Sequence, residues 1–449
     1  MTSQQWQTAR QSRDPRFDGV FFVAVKSTGI YCRPICPAPT AQEKNVEYYQ
    51  YAHLAAQDGF RPCIRCRPDS APNSPAWLGT KTTALRAKQL IDKGEAYDCE
   101  VLADRLGVSS RYLRRLFNQH FGLSITQYRL FNQCNFAKQL LQETDLSVAD
   151  IAFASGFNSI RRFNDAFLKQ LNIAPSKLRK SDKKPASTLT LTLAFRPPYN
   201  WQALHDFLQR RLISGLEWLS ATSYGRTFKD KYCQGQFTAH FVEHKNHFKV
   251  AIDIDNTRYL QQVIHNIRRV LDLDADTHTI EQHLIVELKG AMPLCVGLRL
   301  PGIWSDYEAG IRAVLGQQVS VTAAHNLVTQ LVSEFNQQSN NHYFPAPDWV
   351  ANSELDFFKM PQSRKDALRR LSAYCQQNPD NQELDNWLEL KGIGPWTVNY
   401  AKLRGQSHPD ILLAGDLGVK KALAGISEFN SEHCAPFRSY LTFQLWQQL

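Results

Sequence analysis

The sequence lacks any run of about 18 consecutive apolar residues, the length that a helix needs to cross a bilayer. Its first residues, MTSQQWQTARQSRD, also lack the apolar segment of a secretory signal peptide. Cysteine is sparse, with 10 among 449 residues, which excludes the disulfide scaffold of a small secreted domain. We therefore expect a cytoplasmic protein without membrane contact, whose thiols stay reduced unless a metal holds them.

Positive charge is concentrated in the first part of the chain. Residues 1–188 hold 27 Lys and Arg against 16 Asp and Glu, whereas residues 189–449 hold 25 against 26. A basic segment suits a polyanion such as DNA, although basic surfaces also serve solubility alone. Residues 189–449 carry almost no net charge, so they must bind any such partner through the local arrangement of their groups.

The pattern of residues divides the chain into several domains, as expected at about 100–200 residues per domain. The run FFVAV and the cysteines after it indicate a small zinc-module unit, and a helical pattern then occurs twice. Alternation in TLTLTLAF, QFTAHFVE and HFKVAIDI predicts an antiparallel sheet, and helical patterns follow. The expected fold is multi-domain and mainly α with α+β parts: a small four-cysteine zinc domain (1–78), an all-α tandem helix-turn-helix (80–180), a linker (181–188), an antiparallel-sheet α+β domain (189–299) and an all-α domain with a glycine hairpin (300–449).

Four cysteines have the spacing of a metal site. Cys32 and Cys36 are separated by three residues and Cys63 and Cys66 by two, a set that can close a tetrahedral Zn²⁺ site. The other six cysteines are scattered and fit buried apolar positions. On spacing alone, a purely structural zinc ribbon explains the pattern.

The residues around these four cysteines indicate that one of the cysteines also reacts. FFVAVKSTGIYCRPICPAP and GFRPCIRC resemble the N-terminal zinc domain of Ada-type adaptive-response proteins. The resemblance implies that Cys32 accepts a methyl group from a DNA methylphosphotriester, while Cys36, Cys63 and Cys66 only hold the metal. Zinc keeps cysteine sulfur deprotonated and nucleophilic, so this chemistry is physically reasonable.

A helix-turn-helix pattern occurs twice between these cysteines and the sheet. Each copy has an apolar helix, a glycine, and then a serine that opens a helix with paired arginines, Arg114 and Arg115 or Arg161 and Arg162. FNSIRRFNDAFLKQLNIAPSKLR resembles the AraC-type DNA-binding domain. The resemblance implies that both arginine pairs face promoter DNA, with RNA polymerase as a further candidate partner. The alternative is a solvated helix face.

The stretch LELKGIGPWTVNYAKLRGQSHPDILLAGDLG carries the chemistry of the last domain. Gly392 and Gly394 flank Ile393 between two helical patterns, so the backbone N–H groups at the second helix start can bind a DNA phosphate. Asp416 lies 22 residues after Gly394. The simpler interpretations are an ordinary tight turn and a helix N-cap.

Residues 189–449 resemble the helix-hairpin-helix DNA glycosylases of the AlkA type, DNA-3-methyladenine glycosylase II, as in RPPYNW and GLRLPGIWSDYEAGIRAVLGQQVSVTAA. The resemblance implies a catalytic carboxylate at Asp416 and a wedge at Leu300 that fills the gap left by a flipped nucleotide. It also implies a base pocket lined by Trp396, Tyr400 and Trp446, although core packing is the usual role of a single aromatic residue. Gly415 departs from the family, which often has a second acid there.

Three absences narrow the reaction. Trp396 stands where glycosylases with lyase activity carry a lysine, which argues against strand cleavage. The last segment has no cysteine series for an iron–sulfur cluster, and no PCH methyltransferase motif occurs.

We expect a monomeric, bifunctional DNA-alkylation response protein that uses Zn²⁺ and binds double-stranded DNA, both alkylated and promoter DNA. The alternative is a transcription regulator whose glycosylase-like half only binds DNA.

Overall fold

The structure is a computed structural model that describes residues 3–13, 17–70, 79–92, 98–179, 189–339, 342–379, 383–426 and 430–448. The chain forms two compact units, Met1–Arg129 and Leu130–Leu449. The boundary between them falls inside one long helix, and the expected linker at 181–188 lies outside the described residues. Among the described helices, none combines the length and apolar character that a bilayer span needs.

The first unit begins with a small sheet of four strands. β1 is flanked by antiparallel β2 and β3, and β4 runs parallel to β2. Alternating residues of β1 and its neighbours pack on opposite faces, with Phe22 on one face and Val23 on the other. The elements are α1 (Ser3–Ser12), β1 (Phe22–Val25), β2 (Ile30–Cys32), β3 (Val46–Tyr49), α2 (Ala52–Gln57) and β4 (Arg61–Pro62).

The first helix-turn-helix completes this unit. Ser109 caps the second helix because its side chain accepts the Tyr112 N–H, and Gly122 ends the same helix in a left-handed conformation. Its apolar face packs Leu113 and Phe117 into the core. The helices are α3 (Lys81–Asp92), α4 (Cys99–Arg105), α5 (Ser110–Phe121) and α6 (Ile125–Glu143), the last crossing into the second unit.

The second copy has the same local design. Ser159 accepts the Arg162 N–H and caps its second helix, which ends at Asn172 in a left-handed conformation. Phe163 and Phe167 of that helix are fully buried. The elements are α7 (Val148–Ala154), α8 (Ile160–Leu171) and α9 (Pro175–Leu178). The expected tandem repeat is therefore present.

A five-stranded antiparallel sheet follows, in the order β5-β9-β8-β7-β6. Its edge strand contacts α6, because the Thr192 N–H donates to the carboxylate of Glu143 at 2.6 Å. One hydrophobic core is shared by α6, α7, α8 and this sheet. The elements are β5 (Leu189–Ala194), α10 (Trp201–Gln209), β6 (Glu217–Ser220), β7 (Ser223–Lys229), β8 (Gln234–Val242), β9 (His247–Ile254), α11 (Leu260–Val270) and α12 (Thr277–Leu288).

The remaining chain is helical and is joined to the sheet by buried charges. Arg226 of β7 donates to Glu308 at 2.8 Å, and Arg312 donates to Glu217 at 2.9 Å. The helices are α13 (Asp306–Gly316), α14 (Val321–Ser339), α15 (Pro347–Asn352), α16 (Gln362–Gln377), α17 (Pro395–Arg404), α18 (Leu417–Ala424) and α19 (Arg438–Gln447). The expected fold class, multi-domain and mainly α with α+β parts, is confirmed.

Candidate metal centre and base pocket

The four predicted cysteines form one cluster. Parallel pairing of β2 with β4 places the turn after Cys32 beside the turn that contains Cys63 and Cys66. The four Sγ atoms all lie within 4.8 Å of one another, and those of Cys36 and Cys63 are 4.0 Å apart. Sulfur atoms about 2.3 Å from a tetrahedral zinc ion are about 3.8 Å apart. The cluster therefore fits Zn²⁺.

The electrostatics of the cluster also favour a bound cation. Hydrogen bonding to the sulfur atoms of Cys36 and Cys66 raises the pKa of Cys32. Four sulfur atoms this close repel one another when ionised, so a divalent cation is the natural way to keep them as thiolates. Zn²⁺ is the cofactor that this donor set accommodates.

Cys32 differs from its three partners in exposure. Cys36, Cys63 and Cys66 are each 8 % exposed, whereas Cys32 is only partly buried. The Arg33 N–H donates to the Cys66 sulfur at 3.4 Å, which draws negative charge from that ligand. Cys32 is consequently the most exposed sulfur of the cluster.

A buried ion pair beside the cluster, between Arg33 and Asp18, was not predicted from the sequence. The Arg33 guanidinium donates to the Cys66 carbonyl at 3.1 Å and to the Asp18 carboxylate at 2.8 Å. The Arg33 side chain is only 7 % exposed. Arg33 follows Cys32 directly and could have drawn attention to this contact, but its partner Asp18 lies outside the cysteine motif.

All four arginines of the predicted recognition helices are exposed. Arg114 and Arg115 lie on α5 and Arg161 and Arg162 on α8, outside the buried face of each helix. Arg115 also stacks over the Tyr112 ring at 5.0 Å. Their exposure agrees with a DNA-facing role and also with a solvated helix face.

The predicted hairpin lies between a short 3-10 helix (Leu384–Glu389) and α17. Gly392 has φ +97°, and a Cβ there would meet the Ala367 Cβ at 2.8 Å, so only glycine fits. Gly394 caps α17, and a Cβ there would meet nothing within 4 Å among the described residues. Ile393 is buried at 6 % exposure and anchors the turn to the core. The backbone at the start of α17 is thus open to a ligand.

Asp416 is an N-cap that also accepts a hydrogen bond from one of the predicted aromatic residues. Its Oδ1 accepts the N–H groups of Gly418 and Val419 at 2.9 and 3.1 Å. The same oxygen accepts the indole N–H of Trp446 at 3.0 Å. Oδ2 has no hydrogen-bond partner in the described part of the chain, and the side chain is half-buried. One oxygen therefore fixes the carboxylate and leaves the other free to act.

The predicted aromatic residues gather around this carboxylate. Trp396 stacks on Tyr400 with ring centroids 5.4 Å apart, and both are half-buried. Gly415 lies beside Trp396, since a Cβ at Gly415 would be 3.8 Å from the Trp396 ring. Trp396, Tyr400 and Trp446 all pack against one cluster of buried apolar residues. The structure thus places these aromatic residues with Asp416 at one site.

Two further residues of the site, on α10 and just after its end, were missed. The Phe207 ring lies 5.2 Å from Phe443 and 6.2 Å from Trp446, and the Arg211 guanidinium stacks on it. Their spacing of four residues is about one helical turn, and Arg211 Nη1 donates to the Phe207 carbonyl at 3.2 Å. The spacing predicts that Phe207 and Arg211 contact each other, but nothing in the sequence places α10 near Asp416.

Leu300 does not lie where a wedge residue must be. Its side chain is 2 % exposed and packs in the core, while its N–H donates to Asp272 at 2.9 Å. A side chain held in the core cannot enter a DNA helix. The exposed loop between α13 and α14 has a better position, because Gln318 is exposed at φ +56° and Gln317 donates to the hairpin carbonyl of Gly392.

These features define a DNA-binding protein with a four-cysteine metal centre, two helix-turn-helix copies and a glycine hairpin beside an aromatic pocket. Comparison with protein families agrees: the metal binding domain of Ada matches residues 4–69, a helix-turn-helix domain matches 102–181 and the AlkA N-terminal domain matches 190–305.

Individual relatives show how the parts combine. The chain is 32 % identical to a probable bifunctional transcriptional activator/DNA repair enzyme AlkA of Mycobacterium tuberculosis, over 98 % of this chain and 95 % of that protein. It is 28 % identical to DNA-3-methyladenine glycosylase 2 of Escherichia coli, over 57 % of this chain and 96 % of that protein. It is 40 % identical to the Escherichia coli Ada protein over 27 % of this chain and 33 % of that protein. The chain belongs to the family of bifunctional transcriptional activator/DNA repair proteins that join an Ada-type front to an AlkA-type glycosylase.

Proposed function

We propose that the chain responds to DNA alkylation by two chemistries: stoichiometric methyl transfer to Cys32 and hydrolytic excision of alkylated bases at Asp416. The observation that carries the second activity is the Asp416 carboxylate, which is fixed through Oδ1 and free at Oδ2. It lies beside stacked aromatic rings that suit a flat base.

In the excision step, the nucleotide turns out of the duplex and its base stacks against the aromatic rings beside Asp416. A 3-methyladenine or 7-methylguanine base is cationic in DNA, so the faces of Trp396 and Tyr400 attract it. The bond from C1′ to the base nitrogen breaks, and its electron pair leaves with the base. Oδ2 of Asp416 stabilises the positive charge that develops on the sugar and orients the attacking water. The water oxygen bonds to C1′ and one of its protons passes to solvent, because the cationic base leaves as a neutral molecule.

The hairpin holds the DNA during this step. The backbone N–H groups at the start of α17, next to Gly394, bind one phosphate with the help of the helix dipole. The loop at Gln318 replaces Leu300 as the candidate to fill the gap in the duplex, because it is exposed and tied to the hairpin.

In the transfer step, the Cys32 sulfur attacks the methyl carbon of a methylphosphotriester. The bond from methyl carbon to oxygen breaks, and its electron pair stays on the phosphate oxygen, which leaves a thioether and an ordinary phosphodiester. Cys36, Cys63 and Cys66 complete the ligand set with Cys32. Zinc bound there would keep the sulfur atoms deprotonated at neutral pH.

Methylation removes one negative charge that faces DNA. At about 10 Å this relieves roughly 0.4 kcal/mol of repulsion per phosphate in water and roughly 1.7 at an effective dielectric of about 20. Over several phosphates, promoter affinity through α5 and α8 rises tenfold or more. The methylated protein then activates transcription as a monomer that contacts RNA polymerase.

The competing hypothesis is a transcription regulator whose glycosylase-like half only binds DNA. Incubating the wild-type protein with alkylated duplex and measuring free bases and strand integrity separates the two. We expect release of 3-methyladenine and 7-methylguanine with strands that stay intact until heated in alkali. Tight binding without any released base would support the regulator instead.

A further inference from the structure

The second helix-turn-helix copy lies in the same compact unit as the glycosylase-like half. The chain divides between Arg129 and Leu130, inside α6, and the second copy follows this point at residues 130–179. The first copy, with α4 and α5, precedes it. The two copies of the tandem repeat therefore belong to different compact units, and the second is grouped with the five-stranded sheet.

The second copy contacts this sheet at the free edge of β5. Among the described strands, β5 is the last in its sheet, so the backbone groups on its outer side pair with no strand. On that side the Thr192 N–H donates to Glu143 at 2.6 Å, and the Gln139 amide donates to the Thr192 carbonyl at 3.5 Å. Both side chains belong to α6. The helix thus covers an edge that would otherwise be open to a strand of another molecule.

A second contact joins α7 to the segment just before α11. The Arg258 guanidinium lies 5.4 Å from the centre of the Phe153 ring on α7. Arg258 belongs to a 3-10 helix (Thr257–Tyr259), and Tyr259 packs against the core that α6, α7 and α8 share with the sheet. Hydrogen bonds, a cation–π contact and apolar packing therefore all hold the second copy on the sheet.

The docked copy supplies exposed positive charge to a half of the chain that has almost no net charge. Residues 189–449 hold 25 Lys and Arg against 26 Asp and Glu. On α8, Arg161, Arg162 and Lys169 are exposed, together with one acid, Asp165. Contacts between such cations and phosphates add affinity for duplex of any sequence. A module that is already docked makes them without the ordering cost of a loose tether.

We propose that the second helix-turn-helix copy is a duplex-binding arm of the glycosylase, docked on the free edge of β5 through Glu143 and Phe153. Through Arg161 and Arg162 the arm increases the affinity of this half for lesion-bearing duplex. The effect on excision rests on the proposed glycosylase function, whereas the docking and the duplex affinity do not. The second copy thus serves excision as well as promoter binding.

The docking is tested by cutting the chain. A protease site is inserted into the stretch 181–188 of the full zinc-loaded protein, and the two pieces are followed by size-exclusion chromatography after cleavage. The wild-type pieces should co-elute at about 1 μM. Glu143→Ala combined with Phe153→Ala removes the carboxylate and the ring, so association should weaken about 10- to 100-fold.

Gln142→Ala is the matched control for the docking, because Gln142 is exposed on the same helix beside Glu143. It should leave the association unchanged. Denaturation of each uncut variant checks its folding. If the double variant does not fold, Glu143→Ala alone keeps the Phe153 ring and should weaken association about fivefold to tenfold.

The arm is tested by Arg161→Gln combined with Arg162→Gln. Binding to an abasic duplex should weaken, and the slope of log affinity against log salt should become shallower by about 1–2, because up to two phosphate contacts are lost. Excision of 7-methylguanine at limiting protein should fall by the same factor as the affinity. This loss should persist in cut protein that is still docked. It should vanish in cut protein that also carries Glu143→Ala and Phe153→Ala, because the arm has then left the glycosylase piece.

Each result decides one level of the argument. Wild-type pieces that separate at about 1 μM overturn the docking. An unchanged salt slope in the arginine variant, or an arginine effect that persists in full after the pieces have separated, overturns the arm. Wild-type protein that binds duplex but releases no base contradicts the proposed glycosylase function, and the docking and the salt slope are still measured independently of it.

Discussion

Replacing Asp416 with asparagine separates catalysis from folding more cleanly than any other change at this site. The Oδ1 atom of asparagine still accepts the N–H groups of Gly418 and Val419 and the indole N–H of Trp446. Asparagine caps helices about as well as aspartate does. Only the negative charge is lost, together with an acceptor at Oδ2.

The size of the effect follows from the charge. A carboxylate about 4 Å from a developing sugar cation contributes about 4 kcal/mol at an effective dielectric of about 20, or about a thousandfold in rate. The amide dipole recovers part of this, so we expect excision to fall about 100- to 1000-fold. The free energy of unfolding should fall by at most about 1 kcal/mol, from the lost interaction with the dipole of α18.

The assay is single-turnover release of 3-methyladenine and 7-methylguanine, alongside chemical denaturation and binding to an abasic duplex. Asp276→Asn is the matched control, because Asp276 caps α12 by accepting the Thr279 N–H at 3.2 Å and lies at a different helix. It should leave excision unchanged. If Asp416→Asn keeps more than about a tenth of the wild-type rate, the catalytic role assigned to Asp416 is refuted.

Further predictions concern the same half of the chain. Gly394→Ala should leave the free energy of unfolding within about 0.5 kcal/mol but weaken binding to abasic duplex, because a Cβ there meets no described atom within 4 Å yet blocks the approach of a phosphate. Gly392→Ala should cost about 1–3 kcal/mol in denaturation, since its φ is +97° and its Cβ would strike Ala367. Trp446→Phe keeps an aromatic ring but removes the indole N–H that holds Asp416 at 3.0 Å, so excision should fall about tenfold while binding to abasic duplex stays unchanged. Burial raises the pKa of Asp272 to about 6, above its unfolded value of about 3.9, so the free energy of unfolding should fall as pH rises from about 4 to 6. Asp272→Asn should lack that fall and be more stable at neutral pH, as denaturation at a series of pH values would measure.

The local features of both halves could be predicted from the sequence because short stretches of chain determine them. The cysteine spacing defines two turns that each present two sulfur atoms, and Ser109 and Ser159 cap helices through bonds to nearby N–H groups. The hairpin follows from Gly392, whose backbone conformation excludes other residues.

Features that depend on distant parts of the chain could not be predicted. Phe207 and Arg211 reach the pocket only because α10 packs against α19, which lies near the other end of this half of the sequence. Leu300 is apolar and follows a loop, which suits a wedge as well as a core position, and only the tertiary fold shows that it is buried. Likewise, Arg226 and Glu308 are charged residues in a fully buried pair, and neither lies near the other in sequence.

The account depends most directly on which sulfur atom takes the methyl group. The measurement is peptide mapping by mass spectrometry of the zinc-loaded protein after incubation with duplex that carries methylphosphotriesters, with Cys32→Ser treated in parallel. We expect one methyl group per chain, located on Cys32, and none on Cys36, Cys63 or Cys66, which are each only 8 % exposed. A methyl group on any of those three residues, or no methylation of a wild-type protein that binds the duplex, would contradict the account.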